Sequence, residues 1–232
     1  MNINNNSSAN QLLPGQDLRV GVDLIADKKD GALIVIGSTP KLDKISSGGI
    51  ILSDCKYSPE MLSELSKMDG AIVVDESVTK ILKANVHLNP SDTIATTQTG
   101  TRHRTAERTS VVTGLTVIAV SEETSLIKVF ENLETKELEE SSAILGRVNE
   151  SLQSVDRMRR RFDDAVTTLG ELEIENTLTN QEVLEVIQRG ELLTRLANQV
   201  KKEAFKLGEY SGLIMIPIDS LESGVLKTLN LV

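Results

Sequence analysis

The hydrophobic periodicity of this 232-residue chain changes once, near residue 137, and that change limits the architectures open to it. Up to about Thr135, aliphatic runs of strand length alternate with turn and helical segments. They are Gly31 to Gly37 (GALIVIG), Gly70 to Asp75 (GAIVVD), Ile81 to Leu88 (ILKANVHL), Leu115 to Val120 (LTVIAV) and Leu126 to Phe130 (LIKVF). Runs rich in Ile and Val predict strands, and those with nearly continuous apolar residues predict central strands buried on both faces. Pro59 to Met68 and Thr101 to Thr113 read as helices between them, the first with Ser58 as N-cap and Pro59 at the first helical position.

After Glu137 the apolar residues advance by three or four. Ile144, Leu145, Val148, Leu152, Val155, Met158, Phe162, Val166 and Leu169 lay one stripe along a helix of some seven turns. Val183, Leu184, Ile187, Leu192, Leu196, Val200 and Phe205 define a second, opened by Thr179 with Glu182 three residues later as a capping box. Neither helix can bury its stripe alone, so the two are expected to pair as a hairpin, with another copy of the chain as a further partner. The expected fold is α/β: a mixed central β-sheet flanked by helices over residues 13–136, then an all-α segment of long amphipathic helices over 137–232. The first ten residues, MNINNNSSAN, are polar and low in complexity, and disorder is expected over 1–12.

Composition narrows the function classes. Aromatic residues make up 2% of the chain and Trp is absent, so the core must be aliphatic. The lone Cys55 allows no intrachain disulfide and has no metal cluster near it, which suits a reducing compartment. No apolar stretch approaches the roughly 18 residues needed to cross a bilayer, and the amino terminus lacks the charge and apolar run of a secretory signal, so a cytoplasmic protein without membrane partners is expected. Net charge is −9 at neutral pH, which argues against a general nucleic-acid surface. The helical part, with 11 Lys and Arg against 17 Asp and Glu, is the more acidic half. Its basic run, Arg157 with Arg159, Arg160 and Arg161, reads as a solvated helix face.

Two short segments carry candidate chemistry. In Thr99 to Ser110, TGTRHRTAERTS, a Gly-Thr turn opens a helix and leaves backbone N–H groups unpaired, which is a ready anion site, and Arg102 and Arg104 can fork onto phosphate oxygens. Upstream lies Asp69-Gly70-Ala71. Bland readings are equally open on spacing alone: Glu107 can pair with Arg104 or His103 at helical spacing, and Asp-Gly is a common turn.

The segments LSKMDGAIVVD around Asp69, ILKANVHLNPS ending at Ser91, TGTRHRTAERTS, and SSAILGRVNESLQSVDRMRRRF in the first long helix resemble the diadenylate cyclases, most closely the DNA integrity scanning type. The resemblance runs from Leu13 onward and implies condensation of two ATP into cyclic 3′,5′-di-AMP with release of two pyrophosphates, assisted by magnesium or manganese. It makes 13–136 the nucleotide-binding catalytic domain and 137–232 a helical linker and oligomerisation domain. By the same resemblance Asp69 holds the metal and helps activate the ribose 3′-hydroxyl, Gly70 and Ala71 form a backbone wall against the nucleotide, and Leu88 contacts adenine. Gly100, Thr101, Arg102, His103, Arg104 and Thr105 form the triphosphate cradle, with Asp69, Arg102, His103 and Arg104 as the catalytic set. Ser121 and Glu122 match a phosphate and metal contact, although Glu122 resembles the membrane-anchored branch of the family better than the scanning branch.

One Asp-Gly-Ala and one Arg-His-Arg per chain imply one ATP site, whereas the product needs two equivalent bonds. Two chains facing across a two-fold axis are therefore expected, and scanning-type relatives assemble further into octamers. Scanning-type relatives also continue into a helix-hairpin-helix domain that binds branched DNA. This sequence stops at Val232 without the glycine-containing hairpin turns of such a domain, so these residues are expected to bind no DNA. The competing expectation from another function class is a non-catalytic scaffold that binds ATP or cyclic di-AMP.

Overall fold

In the computed structural model, residues 8–131 and 133–231 are described, and the chain divides into two compact units, Met1–Glu140 and Ser141–Val232. The expected boundary between 136 and 137 falls inside a strand, Glu134–Leu138, which completes the sheet of the first unit. Residues 1–7 of the segment expected to be disordered lie outside the described residues. Its remainder is ordered, with a helical turn at Ser8–Gln11 and Leu12 buried in the core.

The first unit runs α1 (Ser8–Gln11), α2 (Asp17–Asp27), β1 (Ala32–Ile36), α3 (Pro40–Ile45), β2 (Ser46–Ser47), β3 (Ile50–Lys56), α4 (Pro59–Leu65), β4 (Ala71–Val74), β5 (Lys80–Leu88), α5 (Thr101–Thr113), β6 (Thr116–Val120), β7 (Ile127–Glu131) and β8 (Glu134–Leu138). The strands form one mixed sheet in the order β2-β5-β4-β1-β6-β7-β8, with β3 also paired to β5. β1 and β4 pair in parallel, while β1 with β6 and β4 with β5 are antiparallel. The three central strands are wholly buried, as their unbroken aliphatic runs predict. One face of the sheet packs Val22 and Ile25 of α2 and Leu62 of α4 against Ile34, Ile72 and Ile118. The other face packs Leu42 of α3 and Ala106 of α5 against Val35, Val73 and Val117.

Helix α5 begins and ends where the sequence places it. Gly100 enters it at φ +82° and Gly114 closes it at φ +74°, with its N–H donating to the Ser110 carbonyl at 2.8 Å. Its buried face is made of small residues, Ala106, Thr109, Ser110 and Thr113, so the helix sits close on the sheet. Ser110 Oγ donates to the carbonyls of Leu115 and Phe130, which satisfies a buried hydroxyl and joins helix to strands.

The second unit contains α6 (Ser141–Ile174), α7 (Asn180–Ala204), a short 3₁₀ segment (Phe205–Tyr210), α8 (Ser211–Glu222) and α9 (Val225–Leu229). The capping box at Thr179 and Glu182 is present. The seam of α6 is the expected one except at Leu145, which is exposed, with Ile144, Val148, Val155, Phe162 and Leu169 buried. That of α7 is the expected one only in part: Val200 is buried and Val183 and Leu196 pack on the core, but Leu184, Leu192 and Phe205 are exposed, and the buried line is Val186, Gly190, Leu193, Ala197, Val200 and Ala204. The reason is packing distance. Small residues let neighbouring helices approach, and a Cβ on Gly190 would stand 2.7 Å from Leu229 Cδ2 of α9. In the basic run, Arg159 pairs with Asp163 and Arg160 with Asp156, each at 2.9 Å, while Arg159 Nη1 also donates to the carbonyls of Leu221 and Ser223. No helix among the described residues is long and apolar enough to cross a membrane.

Candidate active site

The amino-terminal turn of α5 lies between two clefts. The first, about 460 Å³, is lined by Thr99, Gly100, Thr101, Arg102, His103, Ser121, Glu122, Glu123, Thr124, Leu126 and Lys128. The second, about 480 Å³, is lined by Leu33, Gly70, Ala71, Val86, His87, Leu88, Thr101, Arg102, Thr105 and Glu122. Thr101, Arg102 and Glu122 belong to both.

The positive φ of Gly100 turns the chain into α5, whose ladder starts with the Arg104 N–H donating to the Gly100 carbonyl at 3.2 Å. The N–H groups of the turn before it have no place in that ladder and form the positive end of the helix. The loop leading to Gly100 is held by Arg108, whose Nε donates to the Ile94 carbonyl at 3.0 Å and whose Nη1 pairs with the Asp92 carboxylate. Glu107 accepts a hydrogen bond from Thr96 Oγ1 rather than pairing with Arg104 or His103. Lys128 on β7 donates to Gln98 Oε1 at 3.0 Å. Burial first, then the charges of Lys128 and Arg102, hold His103 below the usual imidazole range, so the ring is neutral at neutral pH.

Gly70 is demanded by the fold. Its φ is +102°, and a Cβ there would stand 2.9 Å from the Asn85 carbonyl carbon and 3.0 Å from Val86 N on β5. That close approach, beside an irregular register between β4 and β5, lets the backbone of Gly70 and Ala71 form one wall of the second cleft. Leu33, Val86 and Leu88 supply its apolar sides.

Of the residues singled out in the sequence, Gly70, Ala71, Leu88, Gly100, Thr101, Arg102, His103, Thr105, Ser121 and Glu122 line one cleft or both. Asp69 and Arg104 line neither in a single chain: both are exposed, and Arg104 Nε donates at 3.4 Å to the Gly100 carbonyl of its own helix. Sequence reasoning passed over Leu33, Val86, His87, Thr99, Glu123, Thr124, Leu126 and Lys128 as lining residues. Lys128 had one signal available, a cation placed within an otherwise apolar strand run, LIKVF.

Among the described residues no three His, Cys, Asp or Glu side chains converge as a metal cage. A divalent ion arriving with phosphates would need only one or two protein carboxylates and would fill its shell with phosphate oxygens and water; of the candidates, Glu122 lines both clefts and Asp69 lines neither in a single chain.

Two clefts that meet at a helix amino terminus on a mixed sheet, one with apolar Leu33, Val86 and Leu88 in its walls and the other with Arg102 and Lys128 beside Glu122 and Glu123, are compatible with a nucleotide-binding α/β domain. Residues 19–135 match the family described as DisA bacterial checkpoint controller nucleotide-binding, and residues 138–232 match the DisA bacterial checkpoint controller linker region. The chain belongs to this family. Among its relatives, the DNA integrity scanning protein DisA of Kineococcus radiotolerans is 43% identical over 214 residues, covering 92% of this chain and 59% of that protein. The protein of the same name from Streptomyces griseus is 39% identical over 219 residues, covering 94% and 58%. The chain thus spans about three fifths of the length of these relatives. Among solved structures, DacA from Staphylococcus aureus, a double mutant, is 33% identical, with 50% of this chain and 80% of that chain covered and a TM-score of 0.42.

Proposed function

We propose that this chain is a diadenylate cyclase that condenses two ATP into cyclic 3′,5′-di-AMP and two pyrophosphates at the interface of two facing subunits. The observation that carries this reading is the sharing of Arg102 by the two clefts. Adenine and ribose fit against Leu88 and the Gly70-Ala71 backbone, while the triphosphate runs past Arg102 onto the helix end, His103, Ser121 and Lys128.

In each half-reaction a ribose 3′-oxygen attacks the α-phosphorus of the other nucleotide. A P–O bond to the 3′-oxygen forms, the bond to the β-phosphate oxygen breaks, and pyrophosphate leaves with its electron pair while the hydroxyl proton passes to a base. Such transfers are accelerated by positioning and charge neutralisation. Arg102 and the amides of α5 bind and orient phosphate oxygens, with Thr101 and Thr105 beside them. Asp69 accepts the hydroxyl proton and is the carboxylate that would hold magnesium or manganese, an ion that would neutralise phosphate charge. Arg104 completes the charge on the phosphates once the chains have assembled.

One site per chain cannot close both bonds, so two copies face each other. The exposure of Asp69 and Arg104 supports this arrangement, since a residue serving a neighbour's nucleotide need not line its own cleft. Exposed Leu184, Leu192, Leu213 and Ile216 on the helical unit support assembly beyond the dimer, up to an octamer. The net charge of −9 weighs against DNA as a partner of these residues, and the single free cysteine fits a cytoplasmic setting.

A scaffold that only binds ATP or cyclic di-AMP is the second reading, favoured by the absence of Asp69 from the cleft lining of one chain. Incubation of the oligomeric chain with ATP and magnesium or manganese distinguishes the two. Cyclic di-AMP and pyrophosphate in a one-to-two ratio are expected, and Asp69→Asn should keep fold and nucleotide binding but lose product. Nucleotide binding without product from the wild-type chain would leave the scaffold.

A further inference from the structure

Gly31, at the entrance to β1, faces the end of a side chain that comes from α5. A Cβ built on it would clash with the guanidinium of Arg102: its three nearest atoms are Nη1, Cζ and Nη2 of that residue. Backbone conformation does not explain the glycine, because Gly31 is absent from the residues with positive φ. What an added side chain would meet, and displace, is the arginine. On another side the guanidinium meets Glu122, with Nη2 3.9 Å from Oε2. The guanidinium thus lies beside a bare backbone and a carboxylate, and Arg102 lines both clefts.

We propose that Gly31 is a positioning residue: it seats the Arg102 guanidinium at the junction of the clefts, so that one cation serves both. The consequence for nucleotide binding rests on the ATP reading given above; the seating itself does not. A planar guanidinium binds phosphate through a fixed fork, so a displacement of the order of a methyl radius costs it the bidentate geometry. The fold should hardly register the change. The displaced group is the far end of a flexible chain, and a glycine outside the left-handed region gains from alanine by narrowing the unfolded ensemble.

The experiment compares the 232-residue chain with Gly31→Ala, Arg102→Ala and the double variant. In nucleotide-free protein, the Arg102 Nε–Hε resonance, assigned by its loss in Arg102→Ala, reports the seat. Affinity is read with 3′-deoxy-ATP, which lacks the attacking hydroxyl and does not turn over. Gly31→Ala should shift the Arg102 resonance but not that of Arg108, keep or slightly raise the melting temperature, and weaken binding about tenfold. It should add nothing in the Arg102→Ala background. An unmoved Arg102 resonance, or the same loss repeated without Arg102, would overturn the proposal. A shifted resonance with unchanged affinity in both single variants would support the seat and overturn the ATP reading of the clefts.

Discussion

Glu122 stands 3.9 Å from Arg102, so the cation at the junction of the two clefts is already shared with a carboxylate before any anion arrives. The pair is partly open to solvent, which limits its strength to that of an exposed ion pair. Glu122 therefore has two opposite uses. On the proposed nucleotide reading it would compete with phosphate for Arg102, and it would be a ligand for an ion carried with the phosphates.

Chelator separates these uses. With EDTA present, Glu122→Gln should bind 3′-deoxy-ATP about two- to fivefold more tightly than wild type, the span expected from removing an exposed competitor. With magnesium restored, the advantage should shrink or reverse if the carboxylate holds the ion. Calorimetric titration in the two buffers reads both numbers, and equal affinities throughout would leave Glu122 out of the site.

His103 makes binding depend on pH with a predictable sign. Its folded pKa lies below the ordinary imidazole value, through burial and then Lys128 and Arg102. Without nucleotide, the stability it contributes is therefore present above about pH 6.5 and is lost as pH falls through the lowered value. A polyphosphate reverses the local field and favours the protonated ring, so binding takes up a proton and gains strength as pH falls through the imidazole range. The phosphates also titrate in this range, so the test is a difference. The affinity–pH profile of His103→Asn should fall below the wild-type profile on the acid side, and superimposable profiles would remove His103 from the contact.

The seam of α7 gives a stability contrast between adjacent residues. Leu193 is fully buried and Leu192 is 45% exposed. Leu193→Ala should cost about 2–5 kcal/mol by chemical denaturation, against less than about 0.5 kcal/mol for Leu192→Ala. The reverse order would restore the register that leucine spacing suggests.

That register shows where sequence reasoning reached its limit. Leucines at helical spacing pointed to Leu184 and Leu192, but the helices meet along Gly190, Ala197 and Ala204, whose value lies in their small size and leaves no hydrophobic mark. The central strands were legible because burial on both faces forces unbroken aliphatic runs. Strand β3, IILSDCK, and strand β8, ETKEL, were not, since both are largely exposed and carry no such run. At the site, the Thr99 to Thr105 turn was visible through its glycine and arginines. Gly31 was invisible, since its reason is a side chain more than seventy positions away.

The central claim is that two chains share the chemistry, each with one nucleotide. Cyclic di-AMP formed per chain, measured across a dilution series while mass photometry counts the subunits, tests it most directly. Specific activity should fall as the assembly comes apart and vanish in the monomer. Activity per chain that holds constant down to fully monomeric protein would contradict the account.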